Sequence, residues 1–233
     1  MGSSRGSLDT TAIAGSAVFS ALAIVLAGAS QALGLNFPLI PYLQFDVGEV
    51  AIILAFFIFG PVPALVSSMV EFAGLMAFGQ QVPIGPLLKI FALVSTVAGL
   101  WLGARLASRA RWESVSGLVS ASGAMGVVVR AAVMTVPNYY LLLYVYGLAG
   151  TVSYYDLARS FSTIGLSLSG SNALVLVLAF TALFNAVQLV FVMGLSYLVL
   201  KVPVVNQLRI GGRLPWFTSV LGLDKRSAAE PLR

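Results

Sequence analysis

The chain contains no cysteine and no histidine. Thiol chemistry, disulfides and the usual zinc, haem and imidazole-base sites are therefore excluded. Charge is scarce as well: 9% of the 233 residues are Asp, Glu, Lys or Arg, against roughly a quarter in soluble domains. With 59% hydrophobic residues and a mean hydropathy of +0.97, a water-soluble fold has nowhere to hide the apolar surface. An integral membrane protein is what such a composition requires.

The pI near 9.7 invites a nucleic-acid reading, but the positions of the charges oppose it. Ten of the thirteen Lys/Arg (Arg5, Arg105, Arg109, Arg111, Lys201, Arg209, Arg213, Lys225, Arg226 and Arg233) fall in the two tails and one internal loop. That is the pattern of the positive-inside rule. The first apolar run, 12–33, follows Arg5 and contains Ala27-Gly28-Ala29, which resembles a signal-peptide cleavage site. It exceeds the roughly 7–15 residues of a signal core, so a retained helix is expected.

Apolar runs between polar or Gly/Pro punctuation predict six helices near 11–33, 46–59, 61–78, 85–107, 115–136 and 172–200, the fifth with room to run past Pro137. The fold class is thus an all-α membrane protein: a cytoplasmic tail at 1–10, a six-helix domain at 11–200 and a second cytoplasmic tail at 201–233. An even number of spans puts both termini on one side, and with the tails inside, Arg105, Arg109 and Arg111 also land inside. Gly60-Pro61 makes a tight inner turn. The long outer connection at 137–171 reads as a structured cap, or its tyrosines (Tyr139, Tyr140, Tyr144, Tyr146, Tyr154, Tyr155) as an interfacial belt.

One span is too short. A helix from 46 to 59 rises about 21 Å, whereas the hydrocarbon core is about 30 Å thick. Residues 34–45 would then enter membrane depth as irregular chain, which survives only if buried in protein or lining a wet cavity. Asn36, Pro38, Pro41, Tyr42 and Gln44 suit such a re-entrant lid over a small-molecule pocket. Asp46 and Glu49, three apart, can cap the helix reciprocally as a capping box does, or face a ligand.

Three further ionisable residues fall within predicted helices: Glu71, Lys89 and Arg130. Charges at such depth usually face the interior and pair. Glu71 and Arg130 are expected to meet as a structural ion pair. Lys89 can snorkel to the surface, or else Lys89 or Arg130 faces an anionic or carbonyl-rich ligand. Asn185 and Gln188 lie one turn apart on one face of the sixth helix, able to bridge helices or to read the edge of a planar heterocycle. Phe37, Tyr42 and Tyr139 could supply its faces. On the first helix, Ala17-x-x-x-Ala21 and Ala23-x-x-x-Ala27 permit close helix approach in lipid, either to a partner or within the bundle.

The run Tyr42-Leu43-Gln44-Phe45-Asp46-Val47-Gly48-Glu49-Val50, followed by Phe59-Gly60-Pro61, resembles a signature of the substrate-binding S components of energy-coupling factor (ECF) vitamin transporters, nearest the riboflavin-specific branch. Asn138-Tyr139 and Phe184-Asn185 add weaker echoes. The chain departs from the pattern at Ala51, where proline is usual, and at Glu71 and Gln188, where lysine is common. The resemblance implies a six-helix domain that binds a small planar vitamin near the outer face. Tyr42, Gln44, Asp46, Glu49, Lys89, Asn138, Tyr139, Asn185 and Gln188 would be the binding residues, and Ala17 and Ala21 the face met by a transmembrane T component. Two cytosolic ATPases complete such an importer. This chain has no G-x-x-x-x-G-K-[ST] loop, so ATP use falls to those partners and no cofactor is expected here.

Two other classes compete. A membrane enzyme would have to work with Asp46, Glu49 and Glu71 alone, which form no catalytic motif. A stand-alone proton- or cation-coupled transporter would use Glu71 as its coupling carboxylate, but the sequence lacks the internal repeat such folds often carry.

Overall fold

The computed structural model describes residues 10–79, 82–110, 112, 114–145, 156, 159, 161–166, 171–202 and 214–221. The N-terminal tail, most of the expected outer cap and most of the C-terminal tail lie outside the described residues.

Six long or central helices follow the predicted runs closely: α1 Thr10–Ala32, α2 Glu49–Phe59, α3 Pro61–Phe78, α4 Ile84–Arg109, α5 Val115–Tyr140 and α6 Ser171–Leu200. A short α7, Trp216–Val220, follows. Among the described residues, five helices are long and apolar enough to cross a membrane; α2, with 11 residues, is not. Large apolar side chains on their outer faces, such as Val18 and Val25 on α1, Val128 on α5 and Val190 and Leu198 on α6, are exposed. A surface of that kind is stable in lipid. The protein is a mostly helical, multi-pass membrane protein.

At the centre stands α2. Its sequence, EVAIILAFFIF, is apolar on every side after Glu49, and a helix of that kind belongs in a core. Every residue from Glu49 to Phe57 is buried, packed against α1, α3, α4 and α6. Gly48, just before it, touches the backbone of α1: a Cβ there would sit 2.6 Å from the Ala23 carbonyl oxygen. Only glycine permits that approach.

The other helices close around this rod. On α1, Ala12, Ser16, Ser20, Ala23, Ala27 and Ser30 form the buried stripe. Ser67 Oγ of α3 donates to the Ser16 carbonyl (3.1 Å), and Ser16 Oγ reaches the Pro63 carbonyl (3.3 Å). Small residues also let α4 and α5 meet backbone to backbone, with Gly99 against Gly126 and Gly103 against Ser122. At Pro137, which lacks an N–H, α5 does not stop. It runs on to Tyr140 and then loosens into a π-helical stretch, Leu141–Val145.

Both ends of the short α2 are covered. At one end, residues expected to form an irregular lid are instead paired: β1 (Asn36–Phe37) and β2 (Ile40–Gln44) form an antiparallel hairpin. Its Ile40 and Leu43 join Leu142, Phe161, Val177 and Phe184 in a second apolar core, and Phe45 packs against Phe184 with ring centroids 5.1 Å apart. At the opposite end, α7 is inserted. Gly60 turns the chain with φ +104°, Trp216 lies against it and meets Phe56 edge-on (5.1 Å), and Phe217 is fully buried. This part of the C-terminal segment therefore contributes to the main core.

Candidate binding cavity

The inner end of the hairpin lies deep among the helices. Asp46 is clamped by Gln188 of α6: Gln188 Nε2 donates to the Asp46 carbonyl (2.7 Å), and Asp46 N–H donates to Gln188 Oε1 (3.4 Å). Gln188 lies about 25 Å along α6 from its start at 1.5 Å per residue, so Asp46 sits well below that end of α6. Val47 N–H donates to Ser30 Oγ on α1 (3.0 Å), which fixes the same point from the other side.

Helix α2 begins at Glu49 rather than at 46, and it is correspondingly shorter, about 17 Å. The expected capping box does not form. Asp46 Oδ1 accepts from Gly48 N–H (2.6 Å), a local turn, but Glu49 does not reach back. Its carboxylate is instead held by Arg130 of α5 in a two-pronged pair, Nη2 to Oε1 (2.9 Å) and Nη1 to Oε2. Bidentate pairing of this kind is the strong form of the interaction. Arg130 Nε also donates to Asn185 Oδ1 (3.1 Å), and Nη1 to Thr96 Oγ1 (3.3 Å). Asn185 Nδ2 in turn donates to the Thr181 carbonyl (2.9 Å).

The expected Glu71–Arg130 pair is thus replaced by another arrangement. Glu71 of α3 bonds Lys89 of α4, and Lys89 also bonds Asp46. Lys89 does not snorkel outward. The reason for the exchange is depth: α2 starts low in the bundle, placing Glu49 level with Arg130, while Glu71 faces the first turns of α4.

Between these groups lies a cavity of about 130 Å³. Tyr42, Gln44, Asp46, Glu49, Lys89, Asn138 and Asn185 of the expected binding set line it, together with Arg130. Its apolar walls come from Leu75, Ala92, Met134 and Phe184. Tyr139 and Gln188 do not line it. Tyr139 points outward against Tyr140 (5.8 Å), because α5 continues past Pro137 and turns adjacent residues about 100° apart. Gln188 is spent on the Asp46 backbone, and Phe37 packs against Phe45 and Phe184. Thr96 and Met134 were not anticipated, although each had a signal. Arg130, Met134 and Asn138 fall four apart on one helix face, as do Lys89, Ala92 and Thr96 at spacings of three and four.

Two buried acceptors in or beside this cluster find no partner among the described residues: Glu71 Oε2 and Asn138 Oδ1. The far side of Asn138 is fixed, since its Nδ2 donates to the Met134 carbonyl (2.8 Å). Such orphaned groups are uncommon in native interiors and call for a ligand or water. Elsewhere, Ala23 and Ala27 are buried inside the bundle, whereas Ala17 and Ala21 are on the exposed side of α1.

No family model matches the chain, and no curated protein sequence matches it. Its fold is similar to that of a solved structure, the S component of a bacterial ECF transporter, with a TM-score of 0.61 at 20% identity. The likeness covers 82% of this chain and 93% of that one. It is a likeness of fold.

Proposed function

We propose that this protein is the substrate-binding S component of an ECF-type importer. In this reading it captures a small planar vitamin, riboflavin or a related heterocycle, on the hairpin side of the membrane. The observation that carries the reading is the polar cavity beneath the hairpin, built from five helices' worth of inward-facing charge and amide groups. Polar groups at this depth in a lipid-embedded bundle are costly unless they serve a site. The fold likeness and the motif resemblance from Tyr42 to Pro61 support the same reading.

In a bilayer, α2 would be the sixth span, completed by the hairpin at one end and α7 at the other, with 34–45 re-entrant. Both tails would face the cytoplasm, as the basic residues favour. Arg105 stacked on Trp101 (3.8 Å) and Lys201 near Tyr197 (5.9 Å) suit that interface. The exposed Ala17/Ala21 face of α1 would meet a transmembrane T component, and two cytosolic ATPases would supply the energy. The chain itself performs no chemistry in this reading.

The test is transport after co-reconstitution with a T component and ATPases. Replacing Ala17 and Ala21 together by tryptophan is expected to abolish ATP-dependent uptake while leaving substrate affinity within about twofold, because exposed faces away from the site rarely couple to it. Uptake by the chain alone, driven by a proton or cation gradient, would instead establish the secondary-transporter reading with Glu71 as coupling carboxylate.

A further inference from the structure

We propose that the cavity selects a substrate whose inserted head is the size of one heterocyclic ring and carries a positive charge. This rests on the substrate-binding reading above and shifts its substrate from riboflavin-like tricycles to single-ring nitrogen heterocycles.

The ionisable groups around the cavity come in unequal numbers. Three carboxylates, Asp46, Glu49 and Glu71, surround two cations, Lys89 and Arg130. With all five groups charged, the sum is one negative charge in excess. Both cations are already engaged: Lys89 by Asp46 and Glu71, and Arg130 by Glu49, with Asn185 and Thr96 accepting further N–H bonds. The positive N-terminal end of α2 is occupied as well, since Gly48 N–H donates to Asp46 Oδ1 and Glu49 sits in the first turn. An anionic substrate would have to displace a carboxylate from one of these cations. In a low-dielectric interior, that exchange is heavily penalised.

Hydrogen-bond capacity is also left over. Asn138 Oδ1, in the cavity wall, and Glu71 Oε2, behind Lys89, are acceptors with no partner among the described residues. Glu71 is fully buried and Asn138 is 1% exposed, so open water does not serve them. What these two atoms lack is a donor, and what the excess charge lacks is a counter-ion. A protonated or quaternised nitrogen base bearing an amino group supplies both. Phe184 in the wall offers a ring that favours a cation.

Size restricts the substrate further. A cavity of about 150 Å³ accommodates benzene, so about 130 Å³ holds roughly one ring. A fused tricycle does not enter without displacement of the hairpin.

The experiment uses the full chain in lipid nanodiscs and native mass spectrometry. A defined equimolar panel carries one ring in three charge states, namely N1-methylnicotinamide (cation), nicotinamide (neutral) and nicotinate (anion). Thiamine, riboflavin and biotin are added as larger cationic, neutral and anionic probes. Retention of a cation at least about tenfold over its neutral and anionic counterparts is expected, matching the loss of one charged hydrogen bond. Glu71→Gln, which keeps the Lys89 contact but removes the excess charge, should bring that ratio to within about threefold. If this variant does not fold, the wild-type ratio decides alone. Preferred retention of a neutral or anionic member overturns the charge inference and leaves the substrate-binding reading standing. Retention of none of them sinks both.

Discussion

Arg130 and Lys89 are both intramembrane cations held by carboxylates, yet their settings differ. Arg130 and Glu49 are nearly sealed, with side chains 3% and 4% exposed, and Arg130 has a partner on α2, α4 and α6 at once. Lys89 and Asp46 are 14% and 15% exposed, and Glu71 behind them keeps an oxygen unpaired. The first cluster ties helices together. Both border the cavity, but only the second has hydrogen-bonding capacity left over. A buried charge can thus be structural or adjustable, and the completeness of its hydrogen bonding distinguishes the two.

The largest effect should follow from breaking the sealed cluster. Glu49→Gln leaves Arg130 without a counter-charge, and removing one member of a buried pair costs about 3–5 kcal/mol. The melting temperature in nanodiscs should fall steeply. The double change Glu49→Gln with Arg130→Met should recover part of the loss, because no lone charge remains. If Glu49→Gln is tolerated within about 1 kcal/mol, the sealed cluster is not the strut described here.

A smaller loss is expected at the open cluster. Lys89→Met removes two charged hydrogen bonds, but Asp46 lies beside the cavity and water can reach it. The cost should be about 2–3 kcal/mol, in the range of a charged hydrogen bond rather than of a sealed pair. Ligand affinity, in contrast, should suffer more than it does for changes at Thr96. A stability loss equal to that of Glu49→Gln would erase the distinction between the clusters.

How far the sequence revealed this arrangement can be argued from the same residues. Helix runs were legible to within three residues at each start, because apolar period and punctuation such as Gly60-Pro61 are local signals. That Lys89, Asn138 and Asn185 face one interior followed from polarity within apolar runs. The partners did not, because pairing depends on the relative depth and rotation of helices, and α2 starting at Glu49 rather than 46 shifts both. Tyr139 was misplaced for a related reason: whether a helix passes its proline decides where the next side chain points. The docking of α7 was hidden, since five residues carry too little periodicity to announce a face. The hairpin's pairing was also unannounced, with two prolines obscuring strand character.

The two clusters meet on α6, where Asn185 serves Arg130 and Gln188, one turn away, holds the Asp46 backbone. Gln188→Leu separates them. It removes the amide that pairs with both the N–H and the carbonyl of Asp46 but touches nothing around Arg130. The loss should be about 1–2 kcal/mol, in the range of an ordinary hydrogen bond. Hydrogen exchange should speed up at the amides of residues 44–48 and stay slow in the centre of α2, where exchange follows global unfolding. Lys89 would then lose its fixed partner and ligand affinity would drop with it, although Gln188 itself does not face the cavity. Uniform acceleration across α2 would mean that the hairpin and the Arg130 strut open as one unit, and that the adjustable region cannot move without the sealed one.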